Sequence, residues 1–217
     1  VAAKQIIDNL QSQGYNCTLC MFAGEPVEPS PEREAQVAAM IESDTDFLLS
    51  VGSGVVTDVT RHAAFMAEKP FAVFGTAASM DGYTSITSSM MENGMKITKY
   101  GKSADILMFD PTVLATAPPI MQAAGIGDVL AKYNVLVDWK LGSIVSDETF
   151  CPLCEELLLA ALDLCSSNVD EIIARSEKGM EALIESLILA GLTVLIVRYT
   201  RPVASVEHNM SHYWEMS

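Results

Sequence analysis

The sequence predicts an α/β protein in which a parallel-sheet domain precedes an all-helical one. Up to residue 117, short apolar runs alternate with helical spacing, as in buried parallel strands joined by helices. Gly52 and Gly54 stand where one such run passes into a helix. Beyond residue 117 no strand pattern appears. We therefore predict a sheet domain over 1–117 and a C-terminally incomplete helical domain over 118–217.

The first half of the chain supplies the alternating pattern. Apolar residues at positions 2, 3, 6, 7 and 10 have helical spacing, and 15–23 is a short strand candidate. Ser30 before Pro31 predicts the N-cap and first position of a helix over 32–42. The apolar runs 47–51 and 71–74 predict buried strands, with a helix over 55–68 between them. The chain opens inside a helix without an initiator Met, so we expect the first strand of the domain to be missing.

The later elements have distinct local signals. Asn93-Gly94 between two arms predicts a β-hairpin, and 105–109 predicts one more strand. Asp110-Pro111 is a cap followed by a first-turn proline, where the helices begin. The apolar stretch 187–197 is shorter than the roughly 20 residues of a membrane span. We expect it to be a buried helix and expect no membrane span.

Charge and cysteine content exclude several classes of protein. The 217 residues contain 28 acidic and 13 basic side chains, a net charge of −15, which disfavours nucleic acid as a partner. Five cysteines without a signal peptide favour a reducing compartment, and we expect the cytoplasm. The pairs Cys17/Cys20 and Cys151/Cys154 have zinc-ligand spacing. Because Cys17 and Cys20 lie in a strand candidate and would face opposite sides, we expect buried free thiols instead.

Two glycine-containing loops are candidate ligand sites. The segment 51–54 lies at a strand-to-helix turn, where glycines let a phosphate approach the N–H groups of the helix N-terminus. It lacks the third glycine of a dinucleotide fingerprint, so an ordinary tight turn is equally favoured. The segment 75–82 follows the next strand and carries small hydroxyls and Asp81, which suit a ribose or polyol. Such residues are also common in turns.

Polar side chains in the helical half suggest a metal site. Asp128 lies among apolar residues of a predicted helix, and a buried carboxylate needs a cation, a metal or several donors. His208 and His212 are four residues apart on one helical face, a spacing found in zinc sites and also by chance. His62 is interpreted as a surface or partly buried histidine rather than a ligand.

Four segments together resemble the sn-glycerol-1-phosphate dehydrogenases, above all their bacterial branch, within the iron-containing alcohol dehydrogenase and glycerol dehydrogenase superfamily. Their order and spacing carry the resemblance, which runs across nearly the whole chain. The segments are 52–58, 76–83, 123–128 with 132–133 and 138–140, and 205–216.

The resemblance implies a Rossmann-like nucleotide domain and a helical metal-binding domain. It implies interconversion of sn-glycerol 1-phosphate and dihydroxyacetone phosphate with NAD or NADP and one divalent metal, Zn²⁺ or Ni²⁺. Asp128 and His208 would ligate the metal. Asp81, Asp128 and His212 would bind substrate, with Asp128 and His212 as catalytic residues. The implied cofactor-binding residues are Gly52, Ser53, Gly54, Val55, Val56, Thr76, Ser79 and Ser85.

The resemblance leaves several points open. A third metal ligand is expected beyond Ser217, so we expect this chain to be poorly active. The group that binds the substrate phosphate is not identified, and a homo-oligomer remains open. The alternatives are a glycerol or other polyol dehydrogenase of the same superfamily, or a non-catalytic nucleotide-binding fragment. We expect Asp128, His208 and His212 to surround one cleft that faces Gly52 to Gly54 and Asp81.

Overall fold

The computed structural model describes residues 2–24 and 27–215, without the side chains of Asn209, His212 and Glu215. Two short helices come first, α1 (Ala2–Ser12) and α2 (Pro31–Ala38). The strand predicted over 15–23 is wrong, because this stretch forms neither helix nor strand. The backbone carbonyl groups of this stretch accept hydrogen bonds from side chains of α2 rather than from a neighbouring strand. Arg33 donates to Ala23 O, and Gln36 Nε2 donates to Met21 O at 3.1 Å.

Two parallel strands define the edge of the sheet where the candidate site lies. They are β1 (Leu48–Gly52) and β2 (Phe71–Gly75), joined by α3 (Gly54–Met66). Gly52 lies opposite Gly75 in the register, so both strands end at the same edge. The strands predicted over 47–51 and 71–74 are thus confirmed, the first displaced by one residue and the second longer by one residue.

A hairpin and a third parallel strand complete the β-structure. The hairpin strands β3 (Thr87–Glu92) and β4 (Met95–Tyr100) are joined by Asn93-Gly94, as predicted. Asn93 and Gly94 have φ values of 53° and 75°, the left-handed conformation that a two-residue type I′ turn requires. Strand β5 (Ile106–Phe109) then pairs with β2, giving the parallel order β1–β2–β5. The predicted α/β class is confirmed.

Arg61 of α3 ties the hairpin to the segment that follows β2. Its side chain is completely buried, with Nη1 2.6 Å from Asp58 Oδ1 and donating to Thr87 O at 3.0 Å. Nη2 donates to the carbonyl groups of Gly82 at 2.6 Å and Tyr83 at 3.1 Å. Burial raises the pKa of Asp58 to about 6, and the Arg61 charge opposes that shift. These bonds fix the backbone just beyond Asp81.

Helices make up the described chain after β5. Asp110 accepts a hydrogen bond from Thr112 N at 2.8 Å, which confirms the predicted cap. The helices are α4 (Pro111–Leu114), α5 (Pro119–Val145), α6 (Pro152–Ser167), α7 (Val169–Ile173), α8 (Glu177–Val197) and α9 (Val206–Glu215). One hydrophobic cluster includes Val73 of the sheet and Leu183 of α8, so the two halves share a core. A domain boundary at residue 117 stays a prediction.

The apolar helix α8 lies at the centre of the helical half. Among the described residues it is the one helix long and apolar enough to cross a membrane, with a mean hydropathy of 2.1. However, 56% of that window is buried within the protein, where α8 packs against α5, α6 and α7. Leu187, Ala190 and Val194 are buried. This packing accounts for the apolar composition, and the predicted buried helix over 187–197 is confirmed.

A glycine on α5 allows that helix to approach the segment after β2. A Cβ atom on Gly125 would overlap the carbonyl group of Ala78, whereas a Cβ on Gly127 would meet nothing within 4 Å. We expect Gly125→Ala to lower the free energy of unfolding by about 1–3 kcal/mol, because the backbone must shift. The matched control Gly127→Ala should raise it by up to about 1 kcal/mol through helix propensity. Urea titrations measure both, and equal effects would contradict the close approach.

Candidate functional site

The carboxyl ends of β1 and β2 form one side of the candidate site. Helix α3 begins at Gly54, and its N-cap Ser53 makes no side-chain capping bond. The Ser53 side chain therefore leaves the first-turn N–H groups uncapped. Thr76 N donates to Gly52 O at 2.9 Å, which joins the start of the next loop to the same edge. Because a helix N-terminus favours negative charge, this edge can hold a phosphate group.

The segment 76–85 is fixed between helices from both halves of the protein. The Tyr83 hydroxyl donates to Ala77 O at 2.6 Å. On α8, a Cβ at Gly191 would overlap Asp81 O and the Thr84 side chain. The segment thus lies in contact with α8, as it does with α5 at Gly125. Packing against these two helices therefore sets its position, in addition to the hydrogen bonds within the segment.

Two carboxylates and one lysine form the most strongly charged cluster of this site. Lys132 Nζ lies 2.7 Å from Asp81 Oδ2 and 2.7 Å from Asp128 Oδ1. The other Asp128 oxygen, Oδ2, accepts from the backbone N–H of Asp81 at 2.7 Å. The Lys132 side chain is 0% exposed, and those of Asp81 and Asp128 are 16% and 20% exposed. We call these three residues the aspartate–lysine cluster.

Burial controls the protonation of the cluster. Burial and then the Asp128 charge raise the pKa of Asp81, Lys132 opposes both, and the net result is a pKa of about 6. For Lys132, burial acts to lower the pKa, but the carboxylates of Asp81 and Asp128 outweigh it and raise the pKa above its ordinary value. Lys132 is therefore a permanent cation at neutral pH. With both carboxylates ionised, the cluster carries one net negative charge and can attract a further cation.

The cluster is also bonded to the segment that leads into α9. Lys132 Nζ donates to Val203 O at 3.2 Å. Nearby on α5, Asp138 Oδ2 accepts from Ser205 Oγ at 2.7 Å and lies 2.9 Å from Arg201 Nη1. Hence the start of α9, the helix that carries His208, is held against α5.

The structure places the predicted site residues in three groups. At the carboxyl edge of the sheet and the first turn of α3 are Gly52, Ser53, Gly54, Val55 and Val56. The segment after β2 contains Thr76, Ser79, Asp81 and Ser85, with Asp81 bonded to Asp128. His208 lies on α9 and is exposed.

Some predicted contacts are not established by this arrangement. The side chain of His212 lies outside the described residues. Ser85 Oγ bonds to Thr87 Oγ1 at 3.0 Å, so that hydroxyl already has a partner. Within residues 2–24 and 27–215, leaving out the three undescribed side chains, no group of three His, Cys, Asp or Glu side chains could hold a metal ion. The predicted cleft shared by Asp128, His208 and His212 therefore remains a prediction.

Lys132 is the site residue to which the sequence analysis gave no role. The sequence does indicate its contact with Asp128, because Lys132 stands four residues after Asp128 and oppositely charged side chains at that spacing are neighbours on a helix. Its simultaneous contact with Asp81 is a long-range feature of the fold. His62, interpreted as a surface or partly buried histidine, is instead buried. Its Nδ1 lies 2.7 Å from Tyr100 O and its Nε2 3.3 Å from Glu34 Oε1.

The cysteines are all free thiols. Cys154 and Cys165 are buried, as predicted. The expectation of burial is wrong for Cys17, Cys20 and Cys151, which are partly exposed. The reason is local: Cys17 and Cys20 lie in the irregular segment before α2, and Cys151 stands at the start of α6.

Comparisons with known proteins agree with this architecture. Curated proteins named glycerol-1-phosphate dehydrogenase (NAD(P)+) are similar along the whole chain. The relative from Halalkalibacterium halodurans is 41% identical, with 100% of this chain and 55% of that protein covered. The relative from Methanosarcina barkeri is 29% identical, with 98% of this chain and 59% of that protein covered. The chain spans about half the length of the curated relatives it matches.

Solved structures share the fold. The glycerol dehydrogenase from Schizosaccharomyces pombe has a TM-score of 0.76 at 21% identity, covering 88% of this chain and 50% of that one. An archaeal halo-thermophilic alcohol dehydrogenase from a Red Sea brine pool has a TM-score of 0.77 at 15% identity, covering 99% and 58%. A family model described as iron-containing alcohol dehydrogenase matches residues 1–118. The chain therefore belongs to the iron-containing alcohol dehydrogenase family.

Proposed function

We propose that the protein is an NAD(P)-linked, metal-dependent dehydrogenase that interconverts sn-glycerol 1-phosphate and dihydroxyacetone phosphate. The observation that carries the proposal is the contact between Asp128 and Asp81 beside the carboxyl edge of the parallel sheet. In open parallel sheets, ligands bind at this edge. Whole-chain similarity to relatives that bear this name supports the choice of substrate.

The nucleotide would bind across the start of α3. The N–H groups from Gly54 to Val56 would receive the pyrophosphate, with Gly52 leaving room for its approach. Met80 lies close to this turn, since a Cβ on Gly54 would be 3.0 Å from its sulfur. The helix N-terminus and the aspartate–lysine cluster are thus joined by adjacent residues of one loop. Thr76, Ser79 and Ser85 would line the nicotinamide end.

Asp128 and His208 are the proposed ligands of a divalent metal, Zn²⁺ or Ni²⁺. The donor types fit, because carboxylate oxygen and imidazole nitrogen both bind zinc. Asp128 Oδ2 accepts from the Asp81 N–H and Oδ1 from Lys132 Nζ, and each oxygen has a further lone pair. The cluster's net negative charge also favours a cation. When bound, the metal would polarise the C2 oxygen of the substrate.

The side chains of the cluster would bind and orient the substrate. Asp81 would accept a hydrogen bond from a substrate hydroxyl, and His212 would supply a second contact. Lys132 would keep Asp81 and Asp128 at fixed positions, which limits the substrate to few orientations. A pKa of about 6 makes Asp81 a better proton acceptor than an ordinary carboxylate.

Location and assembly are further parts of the proposal. We place the protein in the cytoplasm, which the five free thiols support. Its partner would be the small-molecule substrate. A homo-oligomer remains a prediction.

The test is NADH or NADPH oxidation with dihydroxyacetone phosphate, followed by absorbance with and without Zn²⁺ or Ni²⁺. The Halalkalibacterium halodurans relative serves as the positive control. We expect metal-dependent turnover, slower than that of the relative because no three-ligand group forms among the described residues. Equal rates with unphosphorylated dihydroxyacetone would instead indicate a polyol dehydrogenase. NADH binding without any metal-dependent turnover would indicate a nucleotide-binding protein.

The role proposed for Asp128 can be separated from nucleotide binding. Asp128→Asn keeps the shape of the side chain but removes its negative charge. We expect metal content to fall by at least about tenfold, with turnover falling at least as far, since the ion stabilises charge in the transition state. The NADH dissociation constant should stay within about threefold, because it depends on α3. Full metal content with ordinary turnover would remove Asp128 from the metal site.

Lys132 should stabilise the protein most when metal is absent. Lys132→Met leaves two partly buried carboxylates without their cation, so in EDTA we expect a loss of about 3–5 kcal/mol in the free energy of unfolding. Added Zn²⁺ should stabilise this variant more than the wild type. The control Lys140→Met lies on the same helix in an exposed pair with Glu155 and should cost less than about 1 kcal/mol. Equal losses for the two variants would contradict the role of Lys132.

Because α3 begins without a side-chain cap, one substitution there should increase stability and weaken NADH binding. In Ser53→Asp the carboxylate would accept from the first-turn N–H groups, so the free energy of unfolding should rise by about 0.5–1 kcal/mol. The same charge would repel pyrophosphate, so the NADH dissociation constant should rise at least about tenfold. Ser30 is likewise an N-cap without a side-chain capping bond, on α2. Ser30→Asp should raise the free energy of unfolding and leave the NADH dissociation constant unchanged. If Ser30→Asp also weakened NADH binding, the effect of Ser53→Asp could not be assigned to the start of α3.

A further inference from the structure

The first turn of α6 carries two thiols outside the site already described. Cys151 is the N-cap of this 16-residue helix, Pro152 is its first residue, and Cys154 follows one turn later. Cys151 is partly exposed, whereas Cys154 is 0% exposed. The N-cap and the third residue of a helix lie on the same turn, which places the two side chains beside each other. We propose that Cys151 and Cys154 form a reversible thiol–disulfide site that reacts with low-molecular-weight disulfides.

The surroundings of the two sulfur atoms differ in the way that such a site requires. The backbone N–H of Cys154, with its thiol and the N–H of Leu153, lowers the pKa of Cys151 below its ordinary value, and burial opposes this shift. Burial raises the pKa of Cys154 to about 12. Since the thiolate is the nucleophile, Cys151 is the cysteine that reacts first, and Cys154 stays protonated until the second step.

The backbone before Cys151 is anchored, which fixes the position of its sulfur. Thr149 O accepts from Trp139 Nε1 at 2.9 Å and from the Tyr199 hydroxyl at 3.2 Å. On the other side, the Cys154 thiol donates to Thr193 O of α8 at 3.8 Å. The turn is therefore bonded to α5, to α8 and to the chain after α8.

The reaction proceeds by two exchanges. The Cys151 thiolate attacks one sulfur of the disulfide, which forms a mixed disulfide and releases one thiolate that takes up a proton. Cys154 then loses its proton and attacks the Cys151 sulfur, which forms the Cys151–Cys154 bond and releases the second thiol. The cysteine pair loses two electrons and two protons, and the small disulfide gains both as two thiols.

Glutathione disulfide is the probe for the experiment. The full 217-residue chain is equilibrated at pH 7 in graded mixtures of reduced and oxidised glutathione, quenched with acid, alkylated and digested for mass spectrometry. We expect the peptide with Cys151 and Cys154 to form an internal disulfide. Cys154→Ser should instead accumulate a glutathione adduct on Cys151, and Cys151→Ser should form neither product.

The chain contains a matched control with the same spacing. Cys17 and Cys20 are partly exposed but lie in an irregular segment, without a helix N-terminus. We expect iodoacetamide to alkylate Cys151 at least about tenfold faster than Cys17 at pH 7. Oxidation of Cys17 and Cys20 at the same glutathione ratio would show that spacing alone suffices. That result, or a wild-type adduct on Cys151 as persistent as in Cys154→Ser, would overturn the proposal.

Discussion

The ion pairs of Lys132 with Asp81 and Asp128 are the interaction on which the site depends. Three ionisable groups leave water here, and each would cost several kcal/mol if it were buried alone. The cost is offset because each group meets opposite charge or a hydrogen-bond partner at 2.7 Å. The same atoms join the loop after β2, helix α5 and, through Val203, the segment before α9. The contacts that neutralise these charges are therefore the same contacts that join these three parts of the fold.

Close backbone approaches make this charge contact possible. Helix α5, which carries Lys132, comes against the loop that carries Asp81 at Gly125 and Ala78. Helix α8 supports the loop from another direction at Gly191. Arg61 supplies the corresponding constraint from α3, through carbonyl groups just beyond Asp81. A side chain at either glycine would move the loop, and with it Asp81, away from Lys132, whereas Asp128 would keep its contact with Lys132 on the same helix.

The sequence predicted those elements correctly whose conformation is set by neighbouring residues in the chain. Asn93-Gly94 requires left-handed backbone and Asp110 caps a helix, so both features could be read from adjacent residues. The segment 15–23 failed because strand formation needs a partner, which no local pattern supplies. The Asp128–Lys132 contact follows from helical spacing, but the contact with Asp81 joins residues far apart in the chain. Cys151 was misjudged since its exposure depends on where α6 begins.

The charge of the cluster bears on what the site can bind. The chain carries a net charge of −15, which repels both a nucleotide and a phosphorylated substrate. With two carboxylates and one ammonium the cluster is itself negative, so it would not attract such anions. Under the proposed function, a divalent cation would reverse that sign and leave one positive charge at the place where substrate oxygen must bind. Lys132 is essential to this reversal, because two carboxylates and a divalent cation without it would only reach neutrality. The lysine thus links the structural and the chemical roles of the site: without metal it stabilises the carboxylates, and with metal it would make the site cationic.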